Sequence, residues 1–149
     1  MIIYEGIFFD EETTEFIRSL EEKPLPVLSE DVHCTFKFKP KNDEIFNELA
    51  GKEIEVILTG YASNGKNSGF KIQLPEDIQK YYINYDEKRP GKLKVPHITT
   101  SLGFGATPMN TKDLDFKSLD KEYKVKGRFG FWVSTGHYSG RISFKENGE

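Results

Sequence analysis

The chain has 149 residues, of which 36% are hydrophobic, 13% aromatic and 30% charged, the size and balance of one globular domain able to bury a core. A net charge of −3 excludes the broad basic surface that long nucleic acid needs, though not a small nucleotide in a local basic cleft. One cysteine, Cys34, excludes an internal disulfide and a zinc site built from cysteine pairs, and the three histidines show no metal-ligand spacing, so neither metal nor cofactor is expected.

Residues 2–9 are apolar and β-prone, and Asp10 is placed to cap a helix over 11–22. Its apolar stripe is Phe16, Ile17 and Leu20, and acids crowd its first turn. Pro24 and Pro26 end the helix, and a loop leads to a strand over 32–39 that Pro40 closes. A short helix over 42–50 turns Ile45, Phe46 and Leu49 inward, with Gly51 as its C-cap. Residues 52–62 alternate, with Ile54, Val56 and Leu58 on one face, and Asn64-Gly65 marks a turn into a strand carrying Phe70, Ile72 and Leu74. Pro75 suits the start of a helix over 76–82. A basic loop from Lys88 to Lys94, either solvated or guiding phosphate, precedes a strand over 95–102. Gly103-Phe104-Gly105 opens a long turn, 122–133 reads as a strand, His137 sits in a turn, and 138–144 returns. The acidic start is neither a signal peptide nor a membrane span, so no membrane contact and a cytoplasmic location are expected, the host cytoplasm if the gene is a phage's.

Two strands share one pattern, His33-Cys34-Thr35-Phe36 and His97-Ile98-Thr99-Thr100. A strand turns successive side chains to opposite faces. His33 and Thr35 therefore share a face with Lys37, opposite Val32, Cys34, Phe36 and Phe38. His97, Thr99 and Ser101 likewise share a face, opposite Ile98, Thr100 and Leu102. The apolar side makes Cys34 a core residue. A repeat underlies the pair: His33 comes 24 residues after Phe9, and His97 comes 23 after Leu74, each time across a helix and a loop. The repeats span about 1–50 and 51–149 of one domain, 1–149, and imply two equivalent strands about a pseudo-twofold axis.

Two imidazoles in one cleft suit a general acid and a general base, because histidine titrates near neutral pH. Thr35 and Thr99 can donate hydrogen bonds to phosphoryl oxygens as charge builds there. Lys37 and Ser101 extend the two half-sites. Tyr4, Phe104, Trp132 and Tyr138 can stack a base, Phe104 and Trp132 being the two singled out. This chemistry needs no metal.

The paired motifs and the repeat resemble the two-histidine (2H) phosphoesterases, which include LigT-like RNA 2',3'-cyclic phosphodiesterases, often called 2'-5' RNA ligases, and phage enzymes that degrade cyclic-oligonucleotide defence signals. The resemblance implies an α+β bilobal fold, two antiparallel sheets around a central cleft with helices outside. It implies His33 and His97 as acid and base, with Thr35 and Thr99 on the phosphate. The expected function is a metal-independent phosphodiesterase, acting at a ribose 2' or 3' oxygen of a nucleotide or short oligonucleotide. The compact, acidic chain favours a small or cyclic signalling nucleotide, and a monomer is expected. The alternatives are RNA-end processing, a non-catalytic module that sequesters a nucleotide, and a structural protein with fortuitous motifs.

Overall fold

A computed structural model describes residues 2–28, 32–38, 48–82, 95–133 and 136–138. The strands are β1 (Tyr4–Phe8), β2 (Val27–Leu28), β3 (His33–Phe38), β4 (Glu53–Ser63), β5 (Asn67–Gln73), β6 (His97–Leu102), β7 (Lys117–Val133) and β8 (Gly136–Tyr138). Helix α1 (Glu11–Ser19) follows β1, a one-turn helix (Glu76–Gln79) follows β5, and a 3-10 helix (Pro108–Asp113) follows β6. All eight strands belong to one antiparallel sheet in the order β2-β6-β5-β4-β7-β1-β3, with β8 added to β7.

The expected bilobal fold with two sheets and outer helices is therefore not what forms. One sheet curls until its two flanks meet, and β3 comes to lie beside β6. The reason is visible in the core. Ile7, Cys34, Phe36, Ile54, Val56, Leu58, Phe70, Ile72, Ile98, Val125 and Phe129 from six strands form one buried cluster. A sheet with a single apolar face can enclose that face by curling on itself, whereas two sheets would need two inner faces. α1 adds Ile17 and Thr14 from one side only, while Phe16, expected in its stripe, stays 42% exposed. Asp10 caps this helix, accepting the Thr13 backbone N–H at 2.7 Å.

The connectivity is symmetric about the central β7–β4 pair. On one side lie β1 and then β3, joined through α1; on the other lie β5 and then β6, joined through the one-turn helix. Strand, helix and His strand thus occur twice at mirrored places. Several boundaries moved. α1 stops at Ser19 and the second helix at Gln79, β7 begins at Lys117, and His137 lies in β8 opposite Trp132. The expected inward residues Ile45 and Phe46, the loop Lys88 to Lys94 and the return strand beyond residue 138 lie outside the described residues.

One charged side chain enters the core. Glu5 alternates with Tyr4 and Gly6 and so points inward beside Ile7, where it is 1% exposed. Among the described residues its Oε2 atom has no hydrogen-bond partner. Burial pushes its pKa from 4.5 up to about 7, against the opposing pull of the Lys37 ammonium. Between those pH values the folded chain keeps a proton that the unfolded chain has released, so the contribution of Glu5 to stability is fully present below pH 4.5 and is lost as pH rises through 7. The full loss amounts to about 3 kcal/mol. Glu5→Gln is neutral throughout, so its unfolding free energy should vary less across this window and exceed the parent's at pH 8. Denaturant titrations of both proteins from pH 4.5 to 8 measure this; parallel curves would refute it.

Candidate active site at the β3–β6 seam

No backbone ladder joins β3 to β6 among the described residues, so their junction is a seam closed by side chains. Cys34 fills it from inside. The residue is fully buried, burial pushes its thiol up to about 12, and the thiol lies within hydrogen-bond reach of the His97 backbone. Such a thiol is no nucleophile at neutral pH, in keeping with its reading as core. His33 and His97 flank the same seam on the outside, since Val32, Cys34 and Ile98 beside them are buried and both imidazoles are half-exposed. Every pairing around the sheet is antiparallel, and five such steps separate β3 from β6. The two strands therefore run in opposite directions, and Thr35 and Thr99 lie on opposite sides of the imidazole pair.

Each His strand carries one extra residue. In β3, Thr35 faces Gly6 and Lys37 faces Glu5, leaving Phe36 as the bulge. In β6, Thr99 faces Gly69 and Ser101 faces Ser68, leaving Thr100 as the bulge. The bulge falls on the fourth residue of both His-x-Thr-x motifs. A bulge shifts the alternation by one, so everything beyond it changes face. Lys37 and Ser101, expected beside the histidines, are turned away from them. Lys37 shares the side of Glu5. Ser101 is buried, donates to Glu21 Oε1 at 2.7 Å and accepts the Leu25 N–H at 2.9 Å. His33, Thr35, His97 and Thr99 keep the outer face.

A glycine sits opposite each threonine for a steric reason. A Cβ on Gly6 would stand 2.0 Å from the Cys34 carbonyl oxygen, and one on Gly69 would stand 2.2 Å from that of Ile98. Cys34 and Ile98 are the second residues of their motifs, so the close approach repeats as the bulge does. Sequence reasoning missed both glycines, although a signal existed: Gly6 precedes His33 by 27 residues and Gly69 precedes His97 by 28.

The two imidazoles have different surroundings. His33 belongs to an array of four nearly parallel rings. Its centroid is 4.6 Å from Tyr4 and 5.5 Å from Phe8, and Trp132 lies 6.1 Å from Tyr4 and 6.4 Å from Phe8. Tyr4 and Phe8 are four residues apart on one strand, yet their rings are 5.9 Å apart, because both lean over the bare backbone of Gly6. The array puts Trp132 on the outer face with His33. His97 is held instead by its backbone neighbour, with Nδ1 2.8 Å from the Val95 carbonyl. A carbonyl only accepts, so Nδ1 carries hydrogen and Nε2 is the nitrogen that exchanges protons. Lys71, exposed, faces His97 across β5.

Thr99 is already engaged. Its hydroxyl donates to Thr111 Oγ1 at 2.8 Å, and Asn67 Nδ2 ties Thr111 Oγ1 and the Thr107 carbonyl at 3.1 and 2.8 Å. The 3-10 helix thus covers this end of the site. Phe104 is not part of it. It is 86% exposed in the turn that follows the end of β6 at Leu102. Among the described residues no group of three His, Cys, Asp or Glu side chains could hold a metal ion. No helix there is long and apolar enough to cross a membrane.

No protein-family model matches the chain, and no curated protein matches it.

The steric reading of the glycines has a direct test. Gly6→Ala should force β1 and β3 apart, destabilise the fold by about 1–3 kcal/mol as overpacking does, and disturb the ring array over Gly6. Trp132 is the only tryptophan, so its emission reports on that array. Gly65→Ala, at a turn where a Cβ meets nothing but φ is +84°, serves as a control that strains the backbone without touching the array. An unchanged melting temperature and Trp132 spectrum in Gly6→Ala would contradict the close approach.

Proposed function

We propose that the protein is a phosphodiesterase of the two-histidine type, acting on nucleotide phosphoesters at a ribose 2' or 3' oxygen. The single observation behind this reading is the seam. Two His-x-Thr strands lie side by side, antiparallel, with both imidazoles on one wall and a bulge after each threonine. The chemistry is a balanced displacement. One imidazole takes a proton from water as its oxygen bonds to phosphorus, and the other gives a proton to the ribose oxygen as its bond to phosphorus breaks. Each such transfer is worth about 10²–10⁴-fold. Thr35 and Thr99 hold the non-bridging oxygens, which requires the Thr99 hydroxyl to swing from Thr111 onto the phosphate. The ring array takes the nucleobase, with Trp132 and Tyr4 as its exposed edge. Resemblance to 2H phosphoesterases belongs to this proposal, as does a cytoplasmic location.

A second reading keeps the site and drops the turnover. Stacking already engages His33, and Thr99 already has an acceptor, so a nucleotide held by the rings without reaction is the alternative. One panel of 2',3'-cyclic mononucleotides, 2'-5' oligoadenylates and cyclic di- and trinucleotides separates the two. Turnover supports the enzyme, while quenching of Trp132 emission without turnover supports the binding module.

The enzymatic reading makes distinct demands on the histidines and the threonines. His33→Ala and His97→Ala should each lower kcat at least about 10²-fold while leaving the fold intact, because both side chains face outward. A double variant as fast as the parent would end the proposal. Thr35→Val and Thr99→Val should each lower kcat about tenfold or more, since a charge-assisted hydrogen bond is worth roughly 1.5–3 kcal/mol. The limbs of the bell-shaped pH–rate curve should stay in place, since the coupled imidazoles that set them remain. Because two imidazoles suffice for the proton transfers, EDTA should leave the rate unchanged; a loss restored by Mg²⁺, Mn²⁺ or Zn²⁺ would overturn the mechanism.

A further inference from the structure

Both bulged residues are held by the opposite half of the chain. Phe36, the bulge of β3, meets the ring of Tyr82 edge-on at 5.5 Å, just past the helix of the second half. Thr100, the bulge of β6, donates its hydroxyl at 2.6 Å to Glu21 Oε1, just past α1 of the first half. The same carboxylate oxygen accepts the hydroxyls of Ser68 at 2.5 Å and Ser101 at 2.7 Å. Tyr61 is within hydrogen-bond distance of Ser68 at 2.6 Å and accepts the Lys23 N–H at 3.2 Å. Ser68, Thr100 and Ser101 are buried, so without Glu21 all three hydroxyls lose a charged acceptor, and among the described residues only Thr100 has a backbone carbonyl in reach in its place, that of Ser68 at 3.2 Å.

We propose that Glu21 is a positioning residue for the second His-x-Thr strand: its carboxylate fixes the bulge at Thr100 and so keeps His97 and Thr99 on the outer wall of the seam. The argument is one of register. His97 and Thr99 precede the bulge and Ser101 comes after it, on the other face. With the extra residue pinned at Thr100, both sets satisfy their partners at once. If the bulge migrates or is lost, either Ser101 turns outward or the two functional side chains turn inward. Glu21 grips the bulged residue and the residue after it with one oxygen atom, which fixes where the extra residue sits. Because Glu21 comes from the first half, it also ties the placement of one imidazole to the helix after β1, the strand beside the other imidazole's own.

The catalytic consequence rests on the phosphodiesterase reading, whereas the placement of His97 does not, and the experiment separates them. The parent, Glu21→Ala and Glu21→Gln are labelled with ¹³C-histidine, and each imidazole's NMR signal is followed with pH; kcat and KM are measured on a 2',3'-cyclic mononucleotide. Glu21→Ala should move the chemical shift and titration midpoint of His97 and leave those of His33 in place. It should lower kcat roughly tenfold with KM within about twofold. Glu21→Gln, which keeps an acceptor oxygen, should retain the parent's signals. If Glu21→Ala fails to fold, Thr100→Val, which removes one donor and keeps the shape, carries the same expectation. An unmoved His97 signal in the alanine variant, or in Thr100→Val in its place, overturns the proposal, as does an equal movement of both histidines. A parent without turnover would remove the phosphodiesterase reading and leave the His97 signal to decide the role of Glu21.

Discussion

The structure depends on one extra residue in each of two strands. Strict alternation would give β3 an outward row of His33, Thr35 and Lys37, and β6 an outward row of His97, Thr99 and Ser101. Two such rows facing each other across a seam would set Lys37 and Ser101 beside the histidines. The bulges at Phe36 and Thr100 end each outward row after the threonine. They also turn the chain where the sheet must curl, since a bulge increases local twist. The same two insertions therefore help the sheet close on itself and confine the outer wall of the seam to two imidazoles and two hydroxyls.

The glycines make this arrangement sterically possible and the rings exploit it. Gly6 lets the Cys34 carbonyl come close to β1, and the missing side chain leaves a gap on the outer face that Tyr4, Phe8 and His33 lean over. Gly69 does the same for the Ile98 carbonyl, but there the gap is taken by Thr111 of the 3-10 helix, whose Cγ2 would lie 2.8 Å from an added Cβ. One half of the duplicated site thus became an aromatic surface and the other a hydroxyl cluster. The asymmetry gives the two imidazoles unlike surroundings on a symmetric frame.

Much of this was legible in the chain and some was not. Ile54, Val56 and Leu58 alternated as a half-buried strand must, Asp10 announced a helix start, and Asn64-Gly65 sits in the turn between β4 and β5. The outward placement of both histidines came from period two alone. Period two cannot reveal a bulge, because one inserted residue leaves composition unchanged and alters only the facing of the residues beyond it, and so Lys37 and Ser101 were assigned to the wrong face. The single curled sheet was equally hidden. The repeat dictated two equivalent halves, but whether they form two sheets or the two flanks of one depends on the pairing of β4 with β7, residues far apart in sequence. The start of β7 was missed because Lys117 to Lys121 offers a single apolar residue, Leu119, too little to show an alternation. Glu5 is the opposite case, since Ile3-Tyr4-Glu5-Gly6-Ile7 already placed a carboxyl on the apolar side.

Duplication and bracing together explain why the two halves act as one unit. Each half supplies a His strand, β3 at one edge of the sheet and β6 next to the other edge, inside the two-residue β2 of the first half. Tyr82 from the second half packs on Phe36 of the first, and Glu21 from the first half holds Thr100 of the second. The contacts differ in kind. An aromatic edge tolerates small displacements, whereas a carboxylate oxygen accepting three hydroxyls within 2.7 Å loses its geometry with a shift of a few tenths of an ångström. The second His strand is therefore the more rigidly held of the two. His97 fits that rigidity, since a backbone carbonyl fixes its tautomer, while His33 is stacked with Tyr4 and Phe8. A frame built from two similar halves in this way sets two imidazoles in unlike surroundings at one seam, His97 against a backbone carbonyl and His33 among aromatic rings.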